Sequence, residues 1–189
     1  MRLKLGTILL LSSALLNAQM LTPQDKEYTN IVANGKAATK LLLETLQKNM
    51  QEHMKQGGVM GALSFCSNEA FALTEKVNSQ LPEGISTKRI SIKYRNPANE
   101  PQNDEAKILN SFEKNQNTLP EFEVEKVDEH TYKFYKPLTI NKPVCLVCHG
   151  DLATNPALQK AIIQKYPNDK AFGYKMNDLR GAVVVTIKR

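Results

Sequence analysis

The sequence predicts an α+β fold in which N-terminal helices pack against an antiparallel sheet. Three observations carry that prediction. Apolar residues recur at helical spacing up to about Ser79. Short alternating or β-branched runs, separated by Pro, Gly and Asn, follow from about Ile90 onward. The order is then helices, strands, a cysteine-bearing loop in the last quarter, one more helix and a last strand. The chain contains no internal repeats and no low-complexity linkers.

The N-terminus reads as a targeting segment. Arg2 and Lys4 precede an apolar stretch from Leu5 to Leu16, and Leu16-Asn17-Ala18 offers a cleavage site after Ala18. Residues 1–18 are therefore expected to be a cleaved signal peptide that sends the chain to a bacterial periplasm. The apolar run is too short for a comfortable membrane span, and no later stretch approaches one. The mature chain would hold about 171 residues, the size of one domain. The formal charge of +6 falls to +4 once Arg2 and Lys4 are removed. The charges are interspersed, so nucleic-acid binding is not expected. A mildly basic surface can steer an acidic redox partner.

Each element has a local cause. Thr22 can cap a helix, Pro23 suits its first position, and Asp25 favours its positive end. Tyr28, Ile31, Val32, Leu42, Leu46 and Met50 continue at helical spacing until Gly57-Gly58. A second helix is expected from Val59 to about Ser79, with Val59, Leu63, Cys66, Ala70, Leu73 and Val77 forming one stripe. Pro82 and Gly84 close it. Ile90, Ile92 and Tyr94 alternate with Ser91, Lys93 and Arg95, the pattern of a half-buried strand. Asn96-Pro97 and Glu100-Pro101 mark a loop. A short helix from Asp104 to Lys114 would turn Ile108, Leu109 and Phe112 inward. Phe122 to Val127 and Thr131 to Lys136 read as an antiparallel pair that Pro137 ends. Asn155-Pro156 opens a helix carrying Leu158, Ile162 and Ile163. Gly181 to Ile187 is a well-buried last strand.

Cys145-Leu146-Val147-Cys148-His149 is the most specific motif in the chain. C-x-x-C-H is the attachment signature of a c-type haem: two thiols add across the vinyl groups and the adjacent imidazole ligates iron. Two other uses of a C-x-x-C pair stay open. Half of a zinc site would need two further ligands, and Cys66, His53 and His130 are not paired at ligand spacing. A redox disulfide expects the pair at a helix start after a strand, whereas Pro143 and Gly150 bracket what reads as a loop. The small soluble cytochromes c carry this motif near the N-terminus of an all-helical chain. Here chain that precedes the motif must build much of the pocket.

Further stretches carry a resemblance. They run Arg89-Ile90-Ser91-Ile92-Lys93-Tyr94-Arg95-Asn96-Pro97-Ala98-Asn99-Glu100-Pro101, Tyr135-Lys136-Pro137-Leu138, Cys145 to Gly150, Tyr166 to Tyr174, and Asp178-Leu179-Arg180-Gly181-Ala182. In these the chain resembles a family of periplasmic monohaem domains with a PAS-like fold, first recognised as a domain of unknown function and represented by a cyanobacterial protein. Relatives often carry a Trp after the Asn-Pro segment, where this chain has none, and a Gly where Asn177 stands. The resemblance implies a PAS-like haem c domain over residues 58–189, behind an N-terminal helix over 19–57. It implies one covalently attached haem, with His149 on one side of the iron. It also implies that Cys66, within Ala62-Leu63-Ser64-Phe65-Cys66, can supply the other ligand.

The residues alone leave the sixth ligand open. Cys66 lies on the apolar stripe, where a buried free Cys can equally be a small hydrophobe. Met54, Met60 and His53 are rivals, and His130 falls in an expected turn. Thiolate ligation lowers the potential and Met ligation raises it. Arg95 and Arg180, with Arg89 behind them, are candidates to pair with haem propionates. Tyr94, Tyr135 and Tyr174 are candidate pocket walls. The expected function is redox or gas sensing, with CO or NO as ligand, or low-potential electron transfer. The partner would be a redox protein or a separate signalling protein. An electron carrier with Met/His ligation and a peroxidase-like enzyme are the alternatives. No nucleophile–base arrangement and no second metal site favours an enzyme.

Overall fold

The structure is a computed structural model that describes residues 23–189; the signal segment and the Thr22 cap lie outside the described residues. The elements in chain order are α1 (Pro23–Asn68), α2 (Ala70–Asn78), β1 (Ile85–Ile90), α3 (Asn103–Lys114), β2 (Glu123–Lys126), β3 (Thr131–Thr139), α4 (Pro143–His149), α5 (Pro156–Lys165) and β4 (Leu179–Lys188). The four strands form one antiparallel sheet in the order β1-β4-β3-β2. This is the α+β, PAS-like plan that the sequence predicts. No described helix is long and apolar enough to cross a membrane.

The break expected at Gly57-Gly58 is present inside α1. Gly57 has φ −130° and Gly58 φ 60°, both non-helical. On a straight helix residues 53 and 65 would stand about 18 Å apart. Instead the His53 and Phe65 rings stack at 5.1 Å, and His53 reaches Glu69 at 3.7 Å. The chain therefore doubles back at the two glycines. A second interruption at Glu69 separates α2, so the expected helix over 59–79 is two pieces.

The stripe expected on that helix divides between two cores. Ala70 and Val77 join Ile31, Ala38, Leu42, Leu46 and Phe65 against one face of the sheet, where Phe134, Val183, Val185 and Ile187 are buried. Val59 and Leu63 instead pack with Leu152, Leu158, Ile162 and Tyr166. Cys66 falls between these groups and is exposed rather than buried in either. On the other sheet face Ile90, Tyr135, Ala182 and Val184 meet Leu109 and Phe112 of α3. Being covered on both faces is why β4 reads as a continuous apolar run.

Pro137 does not end β3: the strand runs on to Thr139, with Pro137 opposite Ala182 of β4. Two further expectations are corrected. The first strand occupies Ile85–Ile90, not Ile90 to Arg95. Its ladder stops where Ile90 pairs with Ala182. Gly181 has φ 153°, and a Cβ there would lie 2.2 Å from the Ile90 carbonyl oxygen. Ser91 then leaves the ladder, its N–H donating to Asn99 (3.0 Å) and its Oγ to the Arg180 carbonyl (2.8 Å). The second correction concerns the cysteine motif, which is helical rather than a loop: Pro143 sits in the first turn of α4 and His149 in its last. The pair therefore does follow a strand, β3, and the loop argument against a redox disulfide falls away.

Candidate functional site

Helix α4 puts Cys145 and Cys148 one turn apart and hands the chain to Gly150, whose N–H bonds the Leu146 carbonyl at 2.8 Å. Cys145 packs beside Ile140, Ala171 and Tyr174, and Cys148 beside Leu63, Leu158 and Ile162. Each thiol thus faces an apolar wall from different chain segments. Burial pushes the Cys148 thiol up. Among the described residues no group of three or more His, Cys, Asp or Glu is placed to hold a metal ion, which leaves a tetrahedral zinc short of ligands.

His149 is fixed in orientation and tautomer. Its Nδ1 lies 2.9 Å from the Ala171 carbonyl, an acceptor, so Nδ1 carries the proton and the Nε2 lone pair is free. Burial, with the Arg180 and Arg95 charges, pushes its pKa down to about 3, so the ring stays neutral. Tyr174 meets it edge-on at 6.2 Å, and the Tyr174 N–H bonds the His149 carbonyl at 2.9 Å. Tyr174 is therefore the one of the three candidate tyrosines beside the imidazole. Tyr135 is buried in the α3 core and donates to Glu125, while Tyr94 bonds Glu100 and Lys170 at the surface.

Arg95 is committed to holding the segment around the motif. Its Nη2 donates to the Cys148 carbonyl (2.7 Å) and the Ala171 carbonyl (3.0 Å), and its Nε donates to Asp169 Oδ1 (3.1 Å). Asp169 Oδ2 completes a buried ion pair at 3.0 Å, and Oδ1 also accepts the Ala171 N–H at 2.8 Å. Only Nη1 is left for an external anion. Arg180 donates through Nη1 to Ser91 Oγ and the Lys93 carbonyl, and its guanidinium lies over the Tyr174 ring at 5.5 Å. It also walls a cavity of about 270 Å³ with Lys93, Glu113, Asp178 and Tyr174, a lining that includes none of the three cysteines and not His149 itself.

Cys66 sits across from the motif. Its side chain is exposed, yet crowding by protein pushes its thiol up, against the pull of Arg89 and Arg95. Cys66 is close enough to Cys148 for its charge to raise the Cys148 thiol further. Tyr166 donates from its hydroxyl to the Cys66 carbonyl at 3.2 Å, tying this helix to α5. Of the rival ligands, His53 lies against Phe65 and Glu69, Met60 is on an exposed face, and His130 is exposed in its turn. Arg89 was the least favoured arginine on sequence grounds. Its Nε is buried and hydrogen-bonds nothing. The sequence signal that could have raised it is a cation at an inward register of a strand.

A PAS-like sheet that presents a short C-x-x-C-H helix, with a tautomer-fixed histidine and several converging arginines, defines the class of protein. The chain belongs to the Tll0287-like family, whose model matches residues 16–188. Among solved structures, that of the cyanobacterial heme-protein Tll0287 superposes with a TM-score of 0.60 at 20% identity, covering 89% of this chain and 98% of that one. At that identity the likeness speaks for the fold. No curated protein matches the chain. Asn177 adopts φ 71°, a left-handed region that Asn tolerates.

Proposed function

We propose that this chain is a periplasmic monohaem c-type protein that acts in redox or gas sensing, or in low-potential electron transfer. Cys145 and Cys148 would bind the haem covalently, His149 would ligate the iron through Nε2, and Cys66 would supply the other protein ligand. The observation that carries this reading is the His149 Nδ1–H bond to the Ala171 carbonyl, which leaves a neutral imidazole with one free lone pair. The family membership and the heme-protein of like fold support a haem as the group held. The residues fit it: apolar walls lie beside each thiol, and the Nε of half-buried Arg89 has no hydrogen-bond partner.

When bound, the haem supplies one-electron chemistry and a site for a diatomic gas. The chain's residues set its terms. Arg95 and Asp169 hold Cys148 and Ala171 in register, and Ala171 orients the imidazole. A Cys66 thiolate would favour ferric iron and a low potential, and its release would govern CO or NO access. Partners would be a redox protein or a separate signalling protein. Residues 1–18 would serve as the cleaved signal, and an intact mass starting at Met1 would refute that part.

The deciding measurement is the visible and near-infrared spectrum of protein exported in a host with haem c maturation machinery, oxidised and reduced, with and without CO. A covalent haem with a ferric thiolate charge-transfer band, lost in Cys66→Ala, is the expected result. A methionine-type band would replace Cys66 by Met54 or Met60 and make the protein a conventional electron carrier. Turnover of peroxide would point to a peroxidase-like enzyme. No covalent haem, with a control cytochrome maturing normally, overturns the proposal.

A further inference from the structure

The cavity of about 270 Å³ lies where the chain leaves β1 at Ser91, between the start of β4 and the C-terminal half of α3. Leu109 and Leu179 give it apolar walls. Four charged residues line it as well: Lys93, Arg180, Glu113 and Asp178. Among the described residues none of these four forms an ion pair. Neutral groups hold three of them in place. Lys93 Nζ donates to the Phe172 carbonyl at 2.8 Å. Arg180 Nη1 donates to Ser91 Oγ at 2.8 Å and to the Lys93 carbonyl at 3.2 Å. Asp178 Oδ2 accepts the Lys175 N–H at 2.7 Å. The two cations share one side of the cavity, since Lys93 lies 4.4 Å and Arg180 5.5 Å from the centre of the Tyr174 ring. Glu113 comes from α3 and is exposed.

Opposite charges that line one cavity without pairing favour a ligand that carries both signs. A simple anion meets two cations but also two carboxylates, and a simple cation meets the reverse. A dipolar molecule is attracted at both ends. The volume lies below that of sites for drug-sized ligands, which suits a single small molecule. We propose that this cavity binds a free α-amino acid with an apolar side chain. Arg180 and Lys93 take its carboxylate, Glu113 and Asp178 take its ammonium group, and Leu109 and Leu179 meet its side chain. The proposal is independent of the haem ligation, because the lining includes no cysteine and not His149. Tyr174 is shared: it lines the cavity and meets the His149 ring edge-on.

The test is isothermal titration calorimetry on the exported, matured protein with each standard L-amino acid. Any amino acid that binds is compared with its deaminated and decarboxylated analogues, isocaproate and isoamylamine in the case of leucine. An apolar amino acid should bind saturably at a single site. Each analogue should bind at least about tenfold more weakly, the effect of losing a charge-assisted contact. Lys93→Met and Glu113→Gln should each weaken binding by a similar factor. Glu113→Gln should also keep the parent's thermal unfolding midpoint, so that its loss is one of binding and not of fold. The proposal is overturned if no amino acid binds, if isocaproate binds as tightly as leucine, or if both variants bind as the parent does. Each of these outcomes reads the same whether or not Cys66 ligates the iron.

Discussion

Replacing Arg95 by Met should destabilise the protein by about 3–4 kcal/mol, through Asp169 more than through the lost carbonyl contacts. The side chains of this pair are 10% and 5% exposed. Without the guanidinium, the Asp169 carboxylate keeps only the Ala171 N–H. An uncompensated buried charge costs roughly 3–5 kcal/mol, and that surviving amide offsets part of it. The Cys148 and Ala171 carbonyls lose a donor as well, at about 1 kcal/mol each unless water replaces it. For a chain of this size the loss corresponds to a fall in Tm of roughly 10 °C. The assay is urea unfolding of the matured protein, followed by far-UV circular dichroism. The double variant Arg95→Met/Asp169→Asn removes the stranded charge and should recover most of the loss. A loss below about 1 kcal/mol in the single variant, or a double variant no better than it, would refute the reasoning.

Two other perturbations probe the scaffold. Glu105 is buried between Lys88 (2.9 Å) and Lys133 (3.3 Å) and accepts the Gln102 N–H at 2.9 Å. Burial alone would raise its pKa, but these partners outweigh it and hold the carboxyl below its ordinary value. Because Lys88 is 39% exposed, Glu105→Gln should cost only about 2 kcal/mol at pH 7. The folded pKa is depressed, so this contribution is complete above the ordinary Glu value near 4.3 and fades as pH falls through the lower folded value. Urea midpoints that differ equally at pH 7 and at strongly acidic pH would contradict the assignment. Gly35→Ala would set a Cβ 2.3 Å from the Phe134 ring, where α1 rests on the sheet. Overpacking by about 1–3 kcal/mol outweighs the gain in helix propensity of about 1 kcal/mol, so a net loss is expected, relieved by Phe134→Leu. Thermal unfolding that shows a more stable Gly35→Ala protein would mean α1 sits farther from β3.

What the sequence revealed depended on whether a feature was local. The turn at Gly57-Gly58, helix α3, the β2–β3 pair and β4 all carry their causes within a few residues. The first strand was misplaced because Ile85–Ile90 is interrupted by Lys88, whose partner Glu105 lies on another element. The alternation at Ile90, Ile92 and Tyr94 looked more like a strand than the strand itself. Helix α4 is too short to show a period, so only Pro143 and Gly150 were visible, and they suggested a loop. At the site, Cys145, Cys148 and His149 were legible as a motif. The tie from Arg95 to Asp169 and the isolation of Arg89 were not, since both depend on residues far away in the chain.

The sheet order also bears on how the molecule is made. The last strand, β4, is flanked by β1 and β3. During synthesis from the N-terminus, β1 and the β2–β3 pair have no common neighbour until β4, Leu179–Lys188, emerges. Sheet closure is therefore a late event in the life of each chain. Cys145 and Cys148 precede β4 by about thirty residues and are therefore made before the sheet can close. Any enzyme that joins a group to those thiols would meet an unfolded substrate, and its recognition would have to read the five motif residues rather than the finished surface.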